Sequence, residues 1–88
     1  MMYIILTYDI ESKRVAKVMK IVKKYLLPVQ KSVYEGFITE SKLKSLKNEL
    51  ADKIEPEKDG IIIYKFSGFG MPDKDILGKN KGDNRFIL

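Results

Sequence analysis

The sequence predicts an α+β fold, a ferredoxin-like βαββαβ sandwich with a C-terminal arm or strand. Three observations carry that reading. Short runs of β-branched and aromatic residues alternate with two stretches of helical period. Their order is strand, helix, extended segment able to fold as a hairpin, helix, strand. A chain of 88 residues has room for one domain and a modest core.

The elements follow in order. Tyr3 to Tyr8 (YIILTY) is apolar throughout and reads as a strand buried on both faces. From Ser12 to Tyr25 the period changes: Val15, Val18, Met19, Val22 and Leu26 fall on one stripe, with Lys13, Lys17, Lys20 and Lys24 opposite. Pro28 is the predicted stop of this helix. Val29 to Ile38 is extended in character, either one bent strand or a hairpin turning near Gln30–Ser32. Thr39 reads as the N-cap of a second helix whose inner face carries Leu43, Leu46, Leu50 and Ile54. Glu40–Lys44 and Glu49–Lys53 sit at the i,i+4 spacing of favourable pairs. After a turn over Pro56 to Gly60, Gly60 to Phe66 is another strand.

Residues 1–66 therefore form the body, and residues 67–88 a loop and arm of the same domain. Ser67 to Asn84 holds four of the six glycines and reads as one long flexible loop. Within it, Ser67-Gly-Phe-Gly-Met71 has the Gly-aromatic-Gly core of an RNA-recognition motif but lacks the preceding basic residue and the aromatic strand. The closing Arg85-Phe-Ile-Leu88 is either a frayed tail or an arm that adds a strand to a partner's sheet. Both end strands are apolar on both faces, yet helices in such a fold cover only one. A second copy of the chain is the simplest cover, so a homodimer is expected.

Composition narrows the chemistry. The chain has no Cys and no His, which excludes zinc fingers, zinc hydrolases, thiol nucleophiles and Ser-His triads. Any bound metal would take oxygen ligands, as magnesium, calcium or manganese do. The absence of Cys points to a cytoplasmic protein, and neither a membrane-length apolar run nor a signal-peptide pattern is present. The net charge of +5 is concentrated: Glu11 to Lys31 holds seven basic residues against one acidic. Such a patch suits DNA or RNA. A membrane-surface role for the helix is disfavoured because strands clamp both its ends.

Asp9 ends the first apolar run and has two readings. One is a cap or turn residue at the start of the helix. The other follows strand alternation, which puts Tyr3, Ile5, Thr7 and Asp9 on the face left for a partner. A two-fold axis there would bring together two Asp9 carboxylates, an oxygen site for hydrated Mg²⁺ or Mn²⁺.

Tyr8-Asp9-Ile10, Lys13-Arg14 opening a basic helix, and Val29-Gln-Lys-Ser-Val-Tyr-Glu-Gly36 resemble, at this separation, the small second universal CRISPR-associated protein, of the CRISPR-associated endoribonuclease family. The resemblance extends over residues 2–66. It implies a ferredoxin-like homodimer acting in CRISPR adaptation (spacer acquisition), bound to the CRISPR integrase subunit. It also implies either a metal-dependent endonuclease on RNA or DNA, or a scaffold without catalysis. By the same resemblance Asp9 matches the metal-binding, catalytic aspartate, and Arg14, Lys31, Ser32 and Tyr34 match polar and aromatic positions around it. The expectation is thus an Mg²⁺-dependent phosphodiester endonuclease with Asp9 at the metal. Lys13, Arg14, Lys17, Lys20, Lys24 and Lys31 would contact nucleic acid, with Ser32 and Tyr34 in support. The alternatives are a DNA-binding scaffold for the integrase and a ribonuclease toxin of related fold.

Overall fold

The computed structural model describes residues 1–68 and 70–79. The elements are β1 (Met2–Asp9), α1 (Ser12–Val22), β2 (Leu27–Gln30), β3 (Val33–Ile38), α2 (Glu40–Lys53), β4 (Gly60–Phe66) and β5 (Asp73–Gly78). The strands make one antiparallel sheet in the order β2-β3-β1-β4-β5.

Strand parity fixes where the core sits. Ile4 and Leu6 of β1 and Ile61 and Ile63 of β4 are fully buried, and they join Val18 and Val22 of α1 with Leu43, Leu46 and Leu50 of α2. Both helices therefore lie on one face of the sheet. The other face presents three cross-strand rows. Phe37, Tyr3 and Phe66 are in register, the Tyr3 ring 4.9 Å from Phe37 and 6.4 Å from Phe66. Glu35, Ile5 and Tyr64 form the next row, and Val33, Thr7, Ile62 and Ile76 the third. Phe37 is 67% exposed, Phe66 39% and Ile76 36%, so this face carries apolar surface that the described residues do not cover.

Two sequence expectations change at the first helix and at Glu49. The first helix ends at Val22, well before Pro28. Its last turn tightens as the Lys24 and Tyr25 amides donate to the Ile21 and Val22 carbonyls, which lets Leu26 turn into the core. Pro28 instead lies in the edge strand β2, where a missing N–H is tolerated. Of the two readings of Val29 to Ile38 the hairpin holds: β2 and β3 pair about a turn that includes Ser32, at φ 63°. Glu49 does not serve Lys53, because Lys24 and the Tyr25 hydroxyl engage it from across the helix pair.

The largest change lies in Ser67 to Asn84, where Asp73–Gly78 forms β5 rather than loop. Ile61 pairs with Leu77 and Ile62 with Ile76. The charges that hide this strand are neutralised on the helix face: Asp75 accepts from Lys47 of α2 at 2.6 Å and lies 3.0 Å from Lys65 of β4. The proposed arm Arg85–Leu88 lies outside the described residues. Thr39 caps α2 as expected, its hydroxyl accepting from the Lys42 amide at 3.2 Å.

At the far end of β5 the backbones nearly touch. A Cβ on Gly78 would lie 2.3 Å from the Asp59 carbonyl oxygen, and Gly78 has φ +75°. Gly78→Ala combines a clash with backbone strain and should cost more than about 1 kcal/mol. Gly68→Ala, which meets nothing within 4 Å, should move the urea midpoint far less. Equal midpoints for the two variants would contradict the close crossing.

Candidate functional site

The site begins with a residue that sequence reasoning treated as part of a turn. Asp59 sits between α2 and β4 with its side chain fully buried. Four donors surround its carboxylate. Arg14 approaches with Nε at 2.6 Å and a terminal guanidinium nitrogen at 3.0 Å, and the Glu11 and Glu55 amides donate at 3.0 and 2.8 Å. The Arg14 guanidinium and these two amides hold the Asp59 carboxyl well below its ordinary range, against the opposing effect of burial. One carboxylate thus binds the β1–α1 connection, the first turn of α1 and the turn before β4. Its own carbonyl accepts from the Lys79 amide at 2.8 Å, which draws in the end of β5.

Asp9 lies at the rim of this assembly. It is the last residue of β1, is exposed, and pairs across the ladder with Gly60. A cavity of about 150 Å³ opens beside it, lined by Thr7, Tyr8, Asp9, Lys58, Gly60, Ile62 and Lys79. Thr7 and Ile62 belong to the uncovered sheet face, so Asp9 stands where that face meets the Asp59 turn. At the start of α1, Glu11 occupies the N-cap, and its amide donates to Asp59.

The other expected residues divide into groups. Lys13, Lys17 and Lys20 are exposed along α1. Lys24 remains 58% exposed but bonds Glu49 at 2.5 Å; together with Tyr25 it lowers the Glu49 carboxyl. Lys17, Lys20, Lys24 and Lys53 line a groove with Ile21, so α2 adds a lysine to the stripe that α1 periodicity alone cannot show. Arg14 is committed to Asp59 and Glu11, with only 18% of its side chain exposed. Lys31 and Ser32 form the β2–β3 turn, and the Ser32 carbonyl accepts from the Tyr8 amide. Tyr34 is buried and stacks on Tyr8 with centroids 6.2 Å apart. Burial and the Tyr34 phenol push the Tyr8 hydroxyl up. Tyr34 pairs with Leu6 on the helix-covered face, whereas Asp9 shares the parity of the open face. The structure does not bring those two side chains onto one surface.

Among the described residues no group of three acidic, His or Cys side chains could hold a metal ion. Among the described lining residues Asp9 is the one carboxylate, and two lysines accompany it. The described residues of a single protomer therefore do not fit a divalent cation.

Residues 1–69 match the family described as CRISPR associated protein Cas2. A relative from Thermodesulfovibrio yellowstonii is 47% identical over 81 residues, 92% of each chain. One from Thermotoga maritima is 40% identical over 87 residues, covering 99% of this chain and 100% of that one. Both are named CRISPR-associated endoribonuclease Cas2. A crystal structure of a Cas2 protein superposes with a TM-score of 0.73 at 34% identity, covering 99% of this chain and 98% of that one.

The buried carboxylate generates a test. Asp59→Ala leaves Arg14 and two amides without their acceptor and should cost at least about 3 kcal/mol in urea unfolding. The pH dependence has a definite sign. Because the folded carboxyl titrates below its ordinary 3.8, its stabilisation is complete above that value and is lost as pH falls toward the folded value. The stability gap between wild type and Asp59→Asn should therefore narrow on acidification from about pH 5 to pH 2. A gap constant over that range would contradict the depressed carboxyl.

Proposed function

The chain belongs to the Cas2 family of CRISPR-associated proteins, and from that premise we propose that it is a homodimeric, nucleic-acid-binding phosphodiesterase of CRISPR adaptation. The observation that carries this reading is the position of Asp9. It is an exposed carboxylate at the end of a central strand, beside a cavity, where the uncovered apolar sheet face begins.

The uncovered face supports the dimer. Phe37, Tyr3, Phe66, Ile5, Ile62 and Ile76 make a continuous apolar surface, and sheet-on-sheet packing about a two-fold axis would bury it. The same operation would bring a second Asp9 toward the first, supplying the carboxylate that one protomer lacks. Mg²⁺ or Mn²⁺ on such a pair would activate water and offset charge on the phosphate. The chain's own work is then binding and placement. Lys13, Lys17 and Lys20 on α1, with Lys31 in the hairpin turn, would hold phosphates without reading sequence. The relatives' name, endoribonuclease, favours RNA as substrate. A CRISPR integrase subunit is the proposed protein partner. No described helix is long and apolar enough to cross a membrane.

A second reading, a DNA-binding scaffold without catalysis, is favoured by one specific observation, the single carboxylate among the described residues that line each protomer's cavity.

Two measurements test the proposal. Light scattering at micromolar concentration should give a dimer for wild type and a monomer for Phe37→Glu; a stable wild-type monomer would refute the shared face. Asp9→Asn should abolish Mg²⁺-dependent cleavage of RNA and DNA oligonucleotides, by at least about 100-fold, while affinity holds. Chelator should do the same to wild type. Equal cleavage by wild type and Asp9→Asn removes Asp9 from the chemistry, and no cleavage by wild type in any divalent metal leaves the scaffold.

A further inference from the structure

We propose that Lys58 and Lys79 form a phosphate-binding subsite beside Asp9, which seats one phosphodiester of the nucleic acid against that carboxylate. The proposal takes from the preceding reading only the identity of the anion.

Both lysines line the same cavity as Asp9, though they come from distant parts of the chain. Lys58 lies in the turn between α2 and β4, and Lys79 follows β5. Each is fixed by its backbone. The Lys58 amide donates to the Glu55 carbonyl at 2.9 Å, and the Asp59 amide to the same oxygen at 2.8 Å. The Lys79 amide donates to the Asp59 carbonyl at 2.8 Å. Gly60 permits this approach, since a Cβ there would lie 2.2 Å from the Lys79 carbonyl oxygen. The turn that binds the buried Asp59 carboxylate thus also sets the starting points of both lysine side chains.

The charge balance then selects the ligand. Among the described residues neither lysine forms an ion pair, in contrast to Lys24, Lys47 and Lys65. Among the described lining residues two ammonium groups stand against one carboxylate, a balance that suits an anion better than a metal. The Thr7 hydroxyl in the lining adds a donor. An opening of about 150 Å³ has room for a phosphate group. The α1 lysines are spread along an open surface and can bind a backbone in many registers. A cavity flanked by two lysines whose backbones are held in place can hold one phosphate in one place. That is the distinction between affinity and positioning.

The test separates this subsite from cleavage by working in the Asp9→Asn background, which does not require turnover. Fluorescence anisotropy with labelled single-stranded RNA and DNA oligonucleotides would be followed across a salt series. Relative to Asp9→Asn alone, adding Lys58→Ala and Lys79→Ala together should weaken binding by about tenfold. It should also reduce the slope of log affinity against log salt by about 0.7, the contribution of one single-strand phosphate. Replacing both lysines with Arg instead should retain the slope. Alanine keeps the Lys58 and Lys79 backbone bonds, so the fold should survive. Lys42→Ala with Lys44→Ala, on α2 away from the cavity, removes the same charge and should change the slope far less. Affinity and slope unchanged in the cavity double variant would overturn the proposal, and so would an equal change in the α2 control. If wild type fails to cleave in every divalent metal, the catalytic reading falls while the anisotropy still decides on the subsite.

Discussion

The buried Asp59 carboxylate is the interaction on which the geometry of the site depends. Removing an ion from water is costly, and a buried ion pair commonly does no more than offset that cost. Here the compensation extends beyond one pair. Two guanidinium nitrogens and two backbone amides converge on the two oxygens, so no charge or lone pair is left buried without a donor. The return is positional. Glu11, Arg14, Glu55 and Lys79 belong to segments far apart in sequence, and each is bonded to side-chain or main-chain oxygen of this one residue. Apolar packing does not hold a turn with that directional precision. The sheet core at Ile4, Leu6, Ile61 and Ile63 provides burial, and Asp59 sets how the chain ends meet above it.

The same logic separates the two kinds of basic residue. Arg14 opens the basic helix, yet its planar fork matches a carboxylate and its charge is used within the fold. The lysines around it are different. Lys13, Lys17 and Lys20 extend into solvent, and Lys53 joins their groove from α2. Lys24 is shared: it bonds Glu49 while still lining that groove. Glu49 also takes the Tyr25 hydroxyl, so it ties the end of α1 to α2 and keeps the stripe in a fixed orientation. A cationic face gains from such anchoring, because its repulsions are then opposed by the helix pair beneath it.

What the sequence made legible was whatever local pattern controls. Alternation in Tyr3 to Tyr8 placed Ile4 and Leu6 inward, and the helical period placed Leu43, Leu46 and Leu50 inward. Thr39 as a cap and the turn near Ser32 are likewise decisions of a few neighbouring residues. The strand Asp73–Gly78 was not legible, because its alternation is broken by charges whose partners, Lys47 and Lys65, lie elsewhere in the chain. The helix stop at Val22 was missed for a related reason: Pro28 is the louder local signal, but core packing of Leu26 decides where the chain turns. Within the site, Asp9 stood out at the end of an apolar run. Lys58, Asp59 and Lys79 did not, since Lys-Asp-Gly has the composition of any surface turn. Nothing local shows that its middle residue is buried.

Asp9 and Asp59 show how one residue type takes opposite tasks a few ångströms of ladder apart. Gly60, the residue after Asp59, pairs directly with Asp9. Burial and four donors fix Asp59 as an ion and occupy its oxygens, which leaves it no capacity to coordinate a cation or take part in proton transfer near neutral pH. Asp9 is exposed at the mouth of a cavity, on the side of the sheet that the chain leaves uncovered. The buried carboxylate does architecture, and the exposed one is the carboxylate proposed to meet a ligand. Because the turn that carries Asp59 also carries Lys58 and holds Lys79, the architecture determines which charges surround Asp9. A change at Asp59 would therefore reach the cavity through the backbone of those lysines, without any contact between the two carboxylates.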